Sequence, residues 1–112
     1  MKKKINIGII GKNFGHKVSY KAIKRIKSFN TVAFCFKSKS FLKIDKKIKI
    51  YKDWKNLLNK KNLNAIVIAS PPETHFKIIK EAIKKKIHIF CEKPVTRSNE
   101  EIYQIYNIIK KK

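Results

Sequence analysis

Three short segments of this chain carry residue types that could do chemistry. Gly11-Lys12-Asn13-Phe14-Gly15 follows a β-branched run and can bring backbone N–H groups and the positive end of a following helix against a pyrophosphate. Ser70-Pro71-Pro72-Glu73-Thr74-His75 follows a second apolar run, and Glu92-Lys93-Pro94 follows a third. In a parallel sheet, ligands bind beyond the carboxyl ends of the strands, near the point where strand order reverses, and all three segments fall on that edge.

The glycine turn is a degenerate form of G-x-G-x-x-G. Asn13 occupies the second glycine position, His16 the third, and Gly15 comes one residue early. Asparagine is the non-glycine residue best suited to a left-handed backbone, so the turn survives the replacement. His16 could reach a phosphate, but a single histidine with no partner reads as a solvated or packing residue. An acid for ribose hydroxyls is expected about 20 residues beyond the glycines. Lys37, Ser38 and Lys39 stand there instead. They suit a ribose 2′-phosphate and tilt the expected cofactor slightly from NAD toward NADP.

The elements that must position these residues alternate along the chain. Ile5 to Ile10 reads as a strand running into the Gly11 turn, and Val18, Ala22, Ile23 and Ile26 recur at helical spacing. Thr31 to Phe36 and Ile48 to Tyr51 are further strand candidates. Asp53 ahead of Trp54, Leu57 and Leu58 marks a short helix with an acid in its first turn. Ala65 to Ala69 is a continuous apolar strand. Ser70 and Glu73 then stand at capping-box spacing, with proline where no N–H is needed, so a helix starts there with Phe76, Ile79 and Ile83 as its buried stripe. Ile87 to Cys91 is the next strand, and Pro94 stops it. A second capping box, Ser98 to Glu101, opens a helix with Ile102, Ile105, Tyr106 and Ile109 on one face. Continuous apolar strands joined by helices require a parallel sheet covered on both faces, which is an α/β fold built as a three-layer α/β/α sandwich.

A chain of 112 residues with 43% hydrophobic content can bury one modest core, so residues 1–112 read as a single domain. A formal charge of +22 would put nucleic acid first among partners. Of the 29 basic residues, however, only Arg25 and Arg97 are arginine, whereas base-edge readout favours the planar guanidinium. The lysines occur in every segment, alongside an excess of Ile and Asn, the mix expected when adenine- and thymine-rich codons are favoured. The charge therefore reads as compositional, with weak non-specific binding to polyanions and no specific nucleic-acid partner. Cys35 and Cys91 sit in apolar runs without metal-ligand spacing and read as buried thiols in a reducing cytoplasm, with no metal site. The apolar run after Lys2 to Lys4 is broken by Asn6 and too short for a secretory leader, and no stretch is long enough to span a membrane.

Together the segments resemble the N-terminal domain of the Gfo/Idh/MocA oxidoreductases, the group containing glucose-fructose oxidoreductase and inositol dehydrogenase. The resemblance covers nearly the whole chain and rests on Ile7-Gly8-Ile9-Ile10-Gly11, on Ala69 to His75, and above all on Cys91-Glu92-Lys93-Pro94 after a strand. It implies a Rossmann-like doubly wound parallel sheet, a nicotinamide dinucleotide cofactor, and hydride transfer to or from a sugar-like or polyol hydroxyl. Gly11, Lys12, Asn13, Phe14, Gly15, Ser38 and Lys39 would bind that cofactor together with Ser70, Pro71, His75, Glu92, Lys93 and Pro94. Lys93 would also be the catalytic residue, a compact, mobile cation facing the nicotinamide ribose and substrate. Glu92 would fix the cofactor and that lysine, and Pro94 would hold the loop. The local alternatives are a helix N-cap for Ser70, a helix-initiating proline for Pro71, and a surface or core histidine for His75 and His88.

Family members continue past the final helix into another strand and a substrate-binding α/β domain that carries their catalytic His and Asp. The chain is thus expected to lack the last strand and the C-terminal substrate domain, leaving an open sheet edge and an uncovered apolar face that could pair with a second copy or a partner subunit. Turnover would need residues outside this chain. Two further readings stay open: a non-catalytic dinucleotide-binding or sensor module, and a lysine-rich nucleic-acid-associated protein.

Overall fold

Strands made of consecutive apolar residues need cover on both faces, and this chain provides it by pairing them in parallel and returning through helices. The computed structural model describes residues 4–11, 19–36, 45–93 and 95–111. In chain order these form β1 (Ile5–Ile10), α1 (Lys21–Lys24), β2 (Phe29–Cys35), β3 (Lys49–Tyr51), α2 (Trp54–Leu58), β4 (Ala65–Ile68), α3 (Pro72–Lys84), β5 (His88–Cys91) and α4 (Asn99–Lys110). The sheet order is β3-β2-β1-β4-β5, and every pairing is parallel. This is a Rossmann-like α/β fold, in which the order reverses between β1 and β4.

Alternate residues of the strands feed two cores. On one face Ile7, Ile9, Phe34 and Val67 pack with Tyr20 and Ile23 from the α1 region. On the other, Ile10, Cys35, Ile66 and Ile68 pack with Leu57 and Leu58 of α2 and with Ile78, Ile79 and Ala82 of α3. Each fully buried Ile or Leu contributes about 1.5–3 kcal/mol. At the amino end of the sheet an asparagine lattice replaces apolar contact: Asn6 N donates to Asn64 Oδ1 at 2.8 Å, and Asn6 Nδ2 donates to the Asn62 carbonyl at 2.8 Å.

The helices depart from the expected stripes. In α1 the buried residue is Ile23, with Tyr20 buried just ahead of it, while Ala22 and Ile26 are exposed; Val18 lies outside the described residues. In α3 the buried line is His75, Ile78, Ile79 and Ala82. It runs one step around the helix from Phe76, Ile79 and Ile83, because small Ala82 and polar His75 take the positions nearest the sheet. In α4 no residue is buried: Ile105 packs on the core, but Ile102, Tyr106 and Ile109 are about half exposed, since α4 lies against α3 instead of over the sheet.

Among the described residues β5 is an edge strand, paired with β4 alone. On the α1 face beside it Phe90 is 63% exposed. A groove of about 530 Å³ runs from Phe90 across Val67, Ala65 and Ile7 to Ala22. Among the described residues this leaves one sheet edge unpaired with an apolar groove beside it.

Candidate functional site

Backbone hydrogen bonds carry the ladder one residue past β1, β2, β4 and β5. Gly11 N donates to the Cys35 carbonyl at 2.9 Å, Ala69 N to that of Ile10 at 2.7 Å, Glu92 N to that of Ile68 at 2.9 Å, and Phe36 N to that of Tyr51 at 3.1 Å. Four segments consequently leave the sheet at one level, and Gly11, Ser70 and Glu92, the first residues of the three expected segments, stand at one edge.

Gly11 sits at the reversal of strand order with φ +120°. A Cβ there would lie 2.5 Å from the carbonyl carbon and oxygen of Ala69 and 2.7 Å from Ser70 N. Gly11 thus rests on the backbone after β4 with no side chain between them, a contact that only glycine allows. Lys12, Asn13, Phe14, Gly15, His16, Lys37, Ser38, Lys39 and Pro94 lie outside the described residues.

The expected capping box at Ser70 does not form. α3 begins at Pro72, its N-cap is Pro71 at φ −56°, ψ 146°, and no side chain caps it. The Thr74 hydroxyl donates to the Pro71 carbonyl at 2.7 Å. Ser70 Oγ lies 2.7 Å from Thr74 Oγ1, and with the Thr74 proton so placed Ser70 is the donor of that pair. Two successive prolines hold the backbone extended ahead of the helix, and the hydroxyl four residues on captures the serine that would otherwise cap. Ser70 is half-buried and Pro71 exposed.

His75 is 1% exposed. Its Nε2 lies 2.7 Å from the Ser70 carbonyl, and its Nδ1 lies 3.1 Å from the Val95 carbonyl and 3.2 Å from Cys91 Sγ. The imidazole therefore touches backbone on both sides of the candidate cleft. Burial, with the neighbouring Glu92 carboxylate adding to it, pushes the Cys91 thiol up to about 11. Glu92 is half-buried at the end of the apolar groove, and Lys93 is exposed. Among the described residues no ion pair joins Glu92 to Lys93; the pair recorded is Lys84 with Glu81 at 3.6 Å.

Sequence reasoning missed Thr74, Cys91 and Val95 as parts of this cluster. The usable signal was histidine three residues after Pro72 in an otherwise apolar α3 stripe, since a buried imidazole must find polar partners. Among the described residues no group of three or more His, Cys, Asp or Glu is placed to hold a metal, and no helix is long and apolar enough to cross a membrane.

Residues 5–112 match a protein-family model described as an oxidoreductase family with an NAD-binding Rossmann fold. The uncharacterized oxidoreductase YrbE of Bacillus subtilis is 35% identical over 115 residues, covering 99% of this chain and 34% of that protein. The inositol 2-dehydrogenase/D-chiro-inositol 3-dehydrogenase of Lactiplantibacillus plantarum is 26% identical over 112 residues, covering 96% of this chain and 31% of that protein. Among solved structures, apo scyllo-inositol dehydrogenase from Lactobacillus casei aligns with a TM-score of 0.82 at 20% identity, covering 99% of this chain and 34% of that one. The myo-inositol 2-dehydrogenase from Lactobacillus plantarum aligns with a TM-score of 0.76 at 22% identity, covering 97% and 34%. The chain spans about a third of the length of the relatives it matches.

Proposed function

Because the chain belongs to the Gfo/Idh/MocA oxidoreductase family as its NAD-binding Rossmann domain, we propose that it binds a nicotinamide dinucleotide along the edge where Gly11, Ala69 and Glu92 leave the sheet. The observation that carries this reading is the bare backbone contact of Gly11 with Ala69 and Ser70 at the reversal of strand order. A turn without a side chain at that point lets a pyrophosphate approach the backbone, so the residues present fit the group. Bound there, the nicotinamide ring supplies the hydride acceptor or donor.

The chain's own residues bind and orient. Gly11 to Gly15 hold the pyrophosphate, Ser70 and Pro71 form the wall opposite, and Glu92 and Pro94 shape the loop that presents Lys93. Lys93 is the catalytic residue of this half: exposed, and with no ion pair to Glu92 among the described residues, its ammonium is available to a hydroxyl at the nicotinamide end. Lys37, Ser38 and Lys39, where an acid for ribose hydroxyls would stand, favour NADP over NAD. The substrate is a sugar or polyol hydroxyl, the class named for the inositol dehydrogenases it resembles.

Titration of the purified chain with NADP+, NAD+ and duplex DNA at two salt concentrations tests this. Saturable dinucleotide binding is expected, tighter for NADP+, with weak DNA binding that collapses at higher salt. Binding to DNA without saturable binding of either dinucleotide would refute the proposal.

A further inference from the structure

His75 and Thr96 are the buried polar side chains among the described residues. Thr96 spends its hydroxyl locally, donating to the Ser98 carbonyl at 2.8 Å. His75 reaches much further. From the first turns of α3 it touches the turn that follows β4, the last residue of β5, and Val95 beyond that strand. Ser70 belongs to the first of these segments, and Lys93 lies between the other two.

The surroundings decide where the ring carries its proton. The Ser70 carbonyl can only accept, so at 2.7 Å Nε2 must be the donor. A neutral ring then offers Nδ1 as an acceptor. The Val95 carbonyl, at 3.1 Å, has nothing to donate, whereas the Cys91 thiol does, and of the two acceptors around that thiol His75 Nδ1 at 3.2 Å is nearer than the Glu92 carbonyl at 3.5 Å. A thiol holds its proton at neutral pH, and the burial of Cys91 adds to that preference. One tautomer therefore satisfies both the thiol and the Ser70 carbonyl.

We propose that His75 is a positioning residue for the dinucleotide site: donating from Nε2 to Ser70 and accepting at Nδ1 from Cys91, it ties the turn after β4 to the end of β5 and so fixes Ser70 relative to Lys93. This rests on reading that edge as the dinucleotide site. It gives His75 a task carried out from the interior, through other residues, in place of direct contact with the cofactor. The tie spans the two strands on one side of the order reversal, where a loose loop would cost affinity by having to order on binding.

The test joins a spectroscopic readout to binding. In the histidine-15N-labelled chain, long-range ¹H–¹⁵N correlation is expected to show His75 protonated at Nε2 and bare at Nδ1, with the signal assigned by its loss in His75→Gln. A proton on Nδ1 overturns the proposal. His75→Leu, which removes both links, is expected to weaken dinucleotide binding roughly tenfold, with His75→Gln restoring part of it through its own donor to Ser70. Cys91→Ala is expected to weaken binding roughly threefold. Wild-type binding that survives unchanged in a folded His75→Leu chain overturns the proposal; should that variant not fold, unchanged affinity in Cys91→Ala does so. Absence of dinucleotide binding in the wild type would instead defeat the functional reading, leaving the tautomer as a separate result.

Discussion

Replacing Gly11 with alanine should cost far more than the same change at Gly8, three residues earlier in β1. At Gly11 the new Cβ must accept φ +120°, a strain of about 1–3 kcal/mol for a residue with a side chain. It must also displace backbone, since the Ala69 carbonyl and Ser70 N lie at 2.5–2.7 Å where ordinary contact begins at 3.4 Å. Opening that seam by close to an ångström endangers the Ala69 N to Ile10 hydrogen bond, worth about 1 kcal/mol. The sum is about 2–4 kcal/mol, reduced by less than 1 kcal/mol through the stiffer unfolded chain. At Gly8 the Cβ would meet Leu57 Cδ2 at 2.8 Å and Leu63 Cδ1 at 3.3 Å, both ends of flexible side chains, and about 1–2 kcal/mol is expected. Urea denaturation reads the difference without screening the +22 charge as guanidinium would. If Gly11→Ala and Gly8→Ala agree within about 0.5 kcal/mol, the seam is not the constraint argued for it.

The Cys91 thiol rises from 9.0 to about 11 on folding, so the fold favours its neutral form. Its contribution is full below pH 9 and is lost as pH climbs from 9 to 11; the stability gap between wild type and Cys91→Ala should narrow over that window, and a constant gap would refute the assignment. Ser98→Ala should lower stability by about 1 kcal/mol, because its hydroxyl caps α4 by accepting from Glu101 N at 3.2 Å. Urea midpoints unchanged in that variant would count against the cap. Phe90→Lys, on the open edge of β5, should reduce self-association and dye binding while changing stability by no more than about 0.5 kcal/mol, as measured by sedimentation and 8-anilinonaphthalene sulfonate fluorescence. A larger loss of stability would mean that Phe90 belongs to the core.

Features decided within a few residues were legible in the sequence. Ser98 caps α4 as its box predicts, because a side chain reaching three residues along needs no tertiary partner, whereas Asp53, expected as an acid in the first turn of α2, stands instead at its N-cap, accepting from Lys55 N at 2.9 Å. The second half of the Ser98 box lands one residue off, with Glu101 Oε1 accepting from Arg97 N at 3.1 Å. The unbroken apolar runs Ile7 to Ile10 and Ala65 to Ile68 dictated a parallel sheet with cover on both faces, and the three chemical segments followed from the rule that strand ends share an edge. Tertiary structure decided what depended on which strand lies beside which. The α3 stripe turned toward His75 because the segments that follow β4 and β5 present the Ser70 and Val95 carbonyls there and β5 ends in the Cys91 thiol, and α4 kept its apolar face open because its neighbour is a helix. Ser70 lost its capping role to a hydroxyl pair, while the close approach at Gly11 comes from a neighbour 58 residues away in the chain, Ala69. Periodicity records which residues can be buried; the sheet order, set by the whole chain at once, determines against what.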